Sequence, residues 1–274
     1  MKHLKLFLSL FIALSQLQGL SQCLEGDCEN GYGVFKCSCG YLYKGEFKDG
    51  KKVHGSQEAE DYFYQGDFKD EMAHGEGEIH YPDSSWYAGA FEQSYPHGVG
   101  KYQLASGKIY LGEMVYGDFH GIGSLSWISP EKDTLTMIGF FKDDFLSGLG
   151  IALKNGQMTT IGLYTEDQLN GMGVKRIGKE LLVGTFKKGK AKNTEKHSFQ
   201  SVAHLEKSVE NEQWNIHISP DSNSIYWRNT ETSQFANVVF KEEIIEVTKS
   251  FSGYEKIWNF SPQGKLLEHE ILLH

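Results

Sequence analysis

The sequence predicts an all-β protein: a long, twisted antiparallel sheet of stacked β-hairpins, followed by a second β-rich segment. Three observations carry this expectation. A phrase of aromatic, any residue, Gly, any residue, aromatic recurs, in strong or weakened form, around Gly45, Gly66, Gly89, Gly112, Gly139, Gly162 and Gly184. The steps between these glycines are 21, 23, 23, 27, 23 and 22 residues, and a period this regular marks a repeat array. In the cleanest copies His-Gly-x-Gly follows. The chain also holds 31 glycines and only five prolines in 274 residues, well above the usual glycine share of about 7% and suited to sheet rather than helix.

Residues 1–21 read as a secretory signal peptide. Lys2 and Lys5 precede an apolar run, Leu6 to Leu14, that is too short for a bilayer needing about 20 residues. Small residues at Gly19 and Ser21 place cleavage before Gln22. Leu20-Ser21-Gln22 ahead of Cys23 leaves a lipidated Cys23 as the alternative, although Gln22 stands where a lipobox wants a small residue. The mature chain is therefore expected to be secreted, periplasmic or envelope-associated.

Residues 22–42 hold all four cysteines, Cys23, Cys28, Cys37 and Cys39. In an exported chain these are expected to form two disulfides, with all three pairings open. A zinc site is the rival reading, but the spacing lacks Cys-x-x-Cys knuckles. Cys37 and Cys39 continue the alternation of Gly33 and Phe35. They are expected as buried sulfurs of the first strand, in a stapled loop that caps the edge of the sheet. Gly31-Tyr32-Gly33 reads as the second half of a cycle whose first half is absent.

Residues 43–192 are the array. In one cycle Tyr64, Gly66 and Phe68 share a strand face, Lys69 to Ala73 is polar and turn-like, and Gly75, Gly77 and Ile79 share a face again. Each cycle is thus a hairpin. A glycine leaves a hollow in which a ring from a neighbouring strand can lie against backbone. One hairpin cannot bury that face alone, so successive hairpins stack. At two strands per repeat the array should run about 65 Å.

The phrases Tyr43-x-Gly45-x-Phe47, Tyr64-x-Gly66-x-Phe68 and Tyr87-x-Gly89-x-Phe91, with Tyr110 and Gly112, are followed by His74-Gly75-x-Gly77, His97-Gly98-x-Gly100 and His120-Gly121-x-Gly123. In these residues the chain resembles the MORN repeat family, over roughly residues 29–192. Ser147 and Asn170 replace the histidine in later cycles, and His54-Gly55 lacks the second glycine. The resemblance implies an elongated sheet used for protein or membrane-surface contact, and no activity.

Residues 193–274 follow a polar boundary. Phe199, Val202, Ala203 and Glu206 suggest a short helix behind Ser198. Alternation at Trp214, Ile216 and Ile218, then at Ile225 and Trp227, predicts strands. Phe235 to Val247 and Tyr254 to Phe260 are strand-like too. This segment is expected to cap the array or to form a small β domain packed on it.

The chemistry-bearing patterns point away from catalysis. His74, His97 and His120 recur at two-strand intervals of roughly 9.6 Å, too far for one zinc ion with bonds near 2 Å. They are expected to stabilise turns by hydrogen-bonding the following hairpin. The Gly-x-Gly pairs do not continue as a phosphate loop, and no Gly-x-Ser-x-Gly elbow occurs. No cofactor, metal or catalytic residue is therefore assigned. The tyrosine column reads as core, with a stacking groove as the sharper alternative. A net charge of −9 argues against nucleic acid as a partner. Basic residues cluster locally at the array's C-terminal end, at Lys175, Arg176, Lys179, Lys187, Lys188, Lys190, Lys192 and Lys196, with Lys187, Lys188, Lys190 and Lys192 as a candidate patch for an anionic surface. The expected function is a noncatalytic scaffold that presents a surface to a protein partner. A peripheral binder of anionic membrane and an enzyme with a site in the C-terminal segment are the alternatives.

Overall fold

The computed structural model describes residues 21–198 throughout and, beyond them, the backbone of seven further strands. The expected signal peptide lies almost wholly outside the described residues. Two compact units divide the chain, Met1–Pro96 and His97–His274. The fold is all-β.

The first unit contains β1 (Gln22–Gly26), β2 (Tyr32–Lys36), β3 (Leu42–Lys48), β4 (Lys51–Glu58), β5 (Phe63–Lys69), β6 (Met72–His80) and β7 (Trp86–Glu92). After β8 (Tyr95–Gln103) come β9 (Ile109–Val115), β10 (Asp118–Ile128), β11 (Thr134–Lys142), β12 (Phe145–Lys154), β13 (Gln157–Thr165), β14 (Gln168–Ile177), β15 (Glu180–Lys187) and β16 (Lys190–Ser198). Strand order follows chain order through an open 16-stranded antiparallel sheet. The sheet thus runs past the expected boundary at residue 192, to Ser198. The missing half-cycle at the N-terminus is supplied by β1, paired with β2 through Gly26↔Gly33.

A row of glycines crosses the strands. In the first unit it passes through Gly33↔Gly45, Gly45↔Gly55, Gly55↔Gly66, Gly66↔Gly77 and Gly77↔Gly89. In the second it runs from Gly100↔Gly112 through Gly123, Gly139, Gly150, Gly162 and Gly173 to Gly184, and ends at Thr194. The tyrosine two residues before each early glycine lies over this row. A Cβ on Gly77 would come within 2.5 Å of the Tyr64 hydroxyl. Tyr43, Tyr64, Tyr87 and Tyr110 are all buried; neighbouring rings meet them edge-on, as in Tyr64–Phe68 at 5.0 Å and Tyr64–Phe91 at 5.1 Å, and Phe119 also stacks flat on Tyr110 at 3.9 Å. The nesting of rings over glycine read from the sequence is what the structure contains.

The His-Gly step is a bulge. Gly66 pairs with Gly77 and Phe68 with Ala73, so Asp67 alone faces His74, Gly75 and Glu76. The same shift occurs between Gly112↔Gly123 and Met114↔Phe119. The extra residues force a left-handed backbone at Gly75 (φ 69°) and Gly121 (φ 59°), which glycine adopts without steric cost.

The turns tie one hairpin to the next. Asp70-Glu71, Gln93-Ser94, Asp143-Asp144 and Glu166-Asp167 each have two positive φ values, the pattern of the tight hairpin turn that matches strand twist. The second turn residue reaches back a full repeat. The Asp167 amide donates to the Leu146 carbonyl (3.1 Å) while the Leu146 amide donates to Asp167 Oδ1 (2.7 Å). Asp144 makes the same reciprocal pair with Phe119, and Ser94 makes it with Ala73.

Beyond residue 198, β17 (Ala203–Val209), β18 (Glu212–Ser219), β19 (Ser224–Asn229), β20 (Phe235–Phe240), β21 (Ile245–Phe251), β22 (Tyr254–Phe260) and β23 (Leu266–Leu273) form a seven-stranded antiparallel meander. The helix expected behind Ser198 is replaced, from Ala203 onward, by strand β17. Its period is two, not 3.6, and it pairs with β18 along its length, from Ala203↔Ile218 to Val209↔Glu212. Residues 199–202 lie outside the described residues.

Gly77→Ala should lower unfolding free energy by about 1–3 kcal/mol, because the new methyl displaces the Tyr64 ring. Gly107→Ala, whose Cβ meets nothing within 4 Å at φ +80°, should cost only backbone strain of about 1 kcal/mol. Asp167→Ala should cost about 1–2 kcal/mol through the stranded Leu146 amide. Denaturant titration of the three variants measures the ranking, and an undisturbed Gly77→Ala would refute the nest.

Candidate interaction surface

The two faces of the sheet differ in the first unit. One carries the buried Tyr–Phe column. The other is read along the ladder row Val34, Lys44, Ser56, Gln65, Glu78 and Ala88, none of which is buried. The row beyond the glycines adds Tyr32, Glu46 and His54, paired as Tyr32↔Glu46 and Glu46↔His54. Tyr32 is 63% exposed and Phe63 39% exposed. Together with Lys44, Glu46, His54 and Gln65 they line a depression of about 300 Å³. Such a surface offers rings for stacking beside charges of both signs, which suits recognition of another polypeptide.

His54 Nδ1 lies 2.7 Å from Asp67 Oδ1, on the following hairpin. This is the contact expected of the histidine column, found at the histidine outside the three cleanest copies. His97 instead packs its ring edge-on against Tyr116 at 5.1 Å. His120 acts through its backbone, its carbonyl accepting from the Tyr110 hydroxyl at 3.2 Å. His74 is half-buried beside Lys69, Met72 and Glu92. Among the described residues no three His, Cys, Asp or Glu side chains come together to hold a metal.

Cys23 is bonded to Cys28 and Cys37 to Cys39. The expected burial of Cys37 and Cys39 is not found: Cys37 is half-buried and Cys39 exposed. Strand β2 ends at Lys36, and Cys37 to Gly40 form the tight turn to β3, closed by Gly40 N–H donating to the Cys37 carbonyl. Two bonded pairs fit an oxidising environment.

The lysine cluster is two groups. Lys187, Lys188, Lys190 and Lys192 are all exposed about the β15–β16 turn. Lys175 and Arg176 lie near the end of β14 and Lys179 in the turn to β15, at the other end of β15, and Lys196 pairs with Glu180 there at 3.2 Å. A hairpin separates residues that sequence proximity had merged.

One buried charge was not foreseen. Lys52 is 4% exposed and sits at the position held by Ala73, Phe119, Leu146 and Leu169 in other repeats, opposite the second aromatic of the phrase. Its ammonium donates to the Tyr41 hydroxyl (2.8 Å) and Gln57 Oε1 (2.7 Å) and pairs with Glu71 Oε2 at 3.4 Å. Three donors thereby meet three acceptors.

The MORN repeat family model matches residues 43–56, 64–86, 87–109 and 110–129. Over these residues the chain carries MORN repeats. No curated protein matches it. MORN repeats are in general protein- or membrane-interaction repeats, and their noncatalytic character is compatible with the surface described. The glycine row continues past the matched residues, but there the tyrosine is replaced. Leu146 lies against Gly139 and Gly150, and Leu169 against Gly162 and Gly173. The MORN architecture outlasts its sequence signature because a leucine from the second strand fills the same hollow.

Burial holds the column tyrosines neutral. It pushes the Tyr43 and Tyr164 hydroxyls up to about 12, and those of Tyr64, Tyr87 and Tyr110 higher still. Their folded values lie above the ordinary value near 10, so their stabilisation is complete below pH 10 and is lost as pH rises toward 12. Tyrosinate absorbance should show these five of the 14 tyrosines ionising only together with loss of the β circular-dichroism signal. Independent ionisation of all 14 with the sheet intact would contradict this.

Proposed function

We propose that the protein is a noncatalytic scaffold, exported to the cell envelope or beyond, that binds a protein partner through the exposed face of its first unit. The carrying observation is that face: a ladder of polar side chains over a glycine row, with Tyr32 and Phe63 uncovered. The repeat family supports an interaction role. The two cysteine pairs and the N-terminal Lys-plus-apolar pattern support export. The Cys23 sulfur is bonded to Cys28 and so is not free to carry a lipid, and acyl-chain labelling of the exported protein should find none.

A second reading rests on the exposed lysines about the β15–β16 turn, which suit an anionic lipid surface. Each basic residue near such a surface contributes about 1 kcal/mol.

In affinity capture from an envelope extract, the protein should retain a partner that the triple variant Tyr32→Ala, Phe63→Ala, Gln65→Asp loses. A partner retained equally by both would sink the assignment to this face. For the lipid reading, sedimentation with anionic vesicles should fall when Lys187, Lys188, Lys190 and Lys192 become Glu, and equal sedimentation removes it.

A further inference from the structure

The face opposite the aromatic column changes character along the array. In the second unit the same ladder row continues as Ser124, Ile138, Ile151, Ile161, Val174 and Val183. Ile138, Ile161, Val174 and Val183 are 0% exposed, and Ser124 and Ile151 are 1% exposed. These positions alternate with Phe141, Leu146, Leu169 and Phe186, which are buried on the column side. Strands β10–β15 are therefore buried on both faces. On a single sheet the short side chains of a valine–isoleucine row shield one another less than the stacked rings of the column do, so another layer is needed to bring this row to zero exposure. Some other part of the chain does.

The meander β17–β23 has the complementary pattern. Its register sets Ala203, Ile218, Ile225, Val238, Val247 and Trp258 in one cross-strand row. The adjacent row of opposite parity holds His204, His217, Tyr226, Asn237, Thr248 and Ile257 and is polar except for Ile257 and the Tyr226 ring. Of that parity, Glu268 is exposed, Glu246, Ile257 and Asn259 half-buried and Thr248 buried. A seven-stranded sheet with one apolar parity has a face to bury, and it follows directly on the strands whose second face is apolar.

We infer that the C-terminal meander of the same chain covers the aliphatic face of β10–β15, closing that part of the array into a two-layer β-sandwich. The occupant is this segment rather than a foreign partner, because the aliphatic row is already excluded from solvent within a single chain. The consequence is a division of labour. The aliphatic face is used up internally, whereas the equivalent face of the first unit, with Lys44, Gln65 and Glu78 in the same row, is open. This goes beyond the proposed function and does not depend on it.

The test uses the full chain carrying a protease site between Ser198 and Ala203. After cleavage in native buffer the two pieces should elute together at the mass of one copy and part only in denaturant. Pieces that separate in buffer, or that elute at the mass of two copies, overturn the inference. A second measurement uses Val247→Asp, on the meander. It should raise the fluorescence of a hydrophobic dye several-fold and speed amide exchange in β11–β13 at least about tenfold, while Gln65→Asp changes neither. Dye binding and exchange unchanged by Val247→Asp would equally defeat it.

Discussion

The structure depends on one packing constraint: where two glycines pair across neighbouring strands, a ring or a branched side chain must lie against bare backbone. Tyrosine meets this better than phenylalanine in the early repeats because its hydroxyl has a fixed job. Tyr43, Tyr64, Tyr87 and Tyr110 each donate to the carbonyl three residues on, at 2.8–2.9 Å. Tyr43 and Tyr110 also reach a carbonyl of the bulge, at His54 and His120. At Glu46, Asp67 and Glu113 the accepting carbonyl lies at or beside the register slip. A buried, unsatisfied carbonyl costs about 1–3 kcal/mol. The ring fills the hollow and the hydroxyl satisfies the bulge, so Tyr, Gly and the His-Gly step form a single unit rather than three separate preferences.

That unit also explains where the repeat can drift. In the fifth and sixth hairpins Met137 and Thr160 stand at the tyrosine position, and Leu146 and Leu169 take over the hollow from the opposite strand. Leucine brings no hydroxyl, and in these repeats the histidine has become Ser147 and Asn170. The reciprocal Asp144 and Asp167 clamps compensate between hairpins, each holding an amide and a carbonyl of the preceding repeat. Stability of the array is then the sum of ring nests within hairpins and turn clamps between them, as expected when each repeat touches only its neighbours.

The parts of this design that were legible in the sequence are those with a fixed offset along the chain. Tyr64, Gly66 and Phe68 share a face by simple alternation, and the recurrence of the phrase fixes the hairpin. Leu146 and Leu169 were not legible as ring substitutes, because their contact with Gly139 and Gly162 depends on a bulge that shifts register. The Asp167–Leu146 clamp spans 21 residues and involves backbone groups, which leave no side-chain pattern. Lys52 reads as an exposed turn lysine until Tyr41, Gln57 and Glu71 are seen around it. Sequence proximity misled twice. It merged the lysines of two opposite turns, and it extended β2 into Cys37 and Cys39, which are the turn itself. Of the candidate surface, Tyr32 and Phe63 were not singled out, since exposure of an aromatic depends on which face the neighbouring layers leave bare.

That last dependence is also what gives the array a direction. A repeat with identical faces along its length would offer the same surface everywhere and could equally pair face to face with itself. Here the row that begins Lys44, Ser56, Gln65, Glu78 becomes Ile138, Ile151, Ile161, Val174 with no change in backbone register relative to the glycines. Glycine and ring set the strand geometry, so the residues of the opposite face are free to vary without cost to the hairpins. Selection can therefore write a wet face and a dry face on one scaffold. Ring nesting and the freely varying row lie on the two sides of the same sheet.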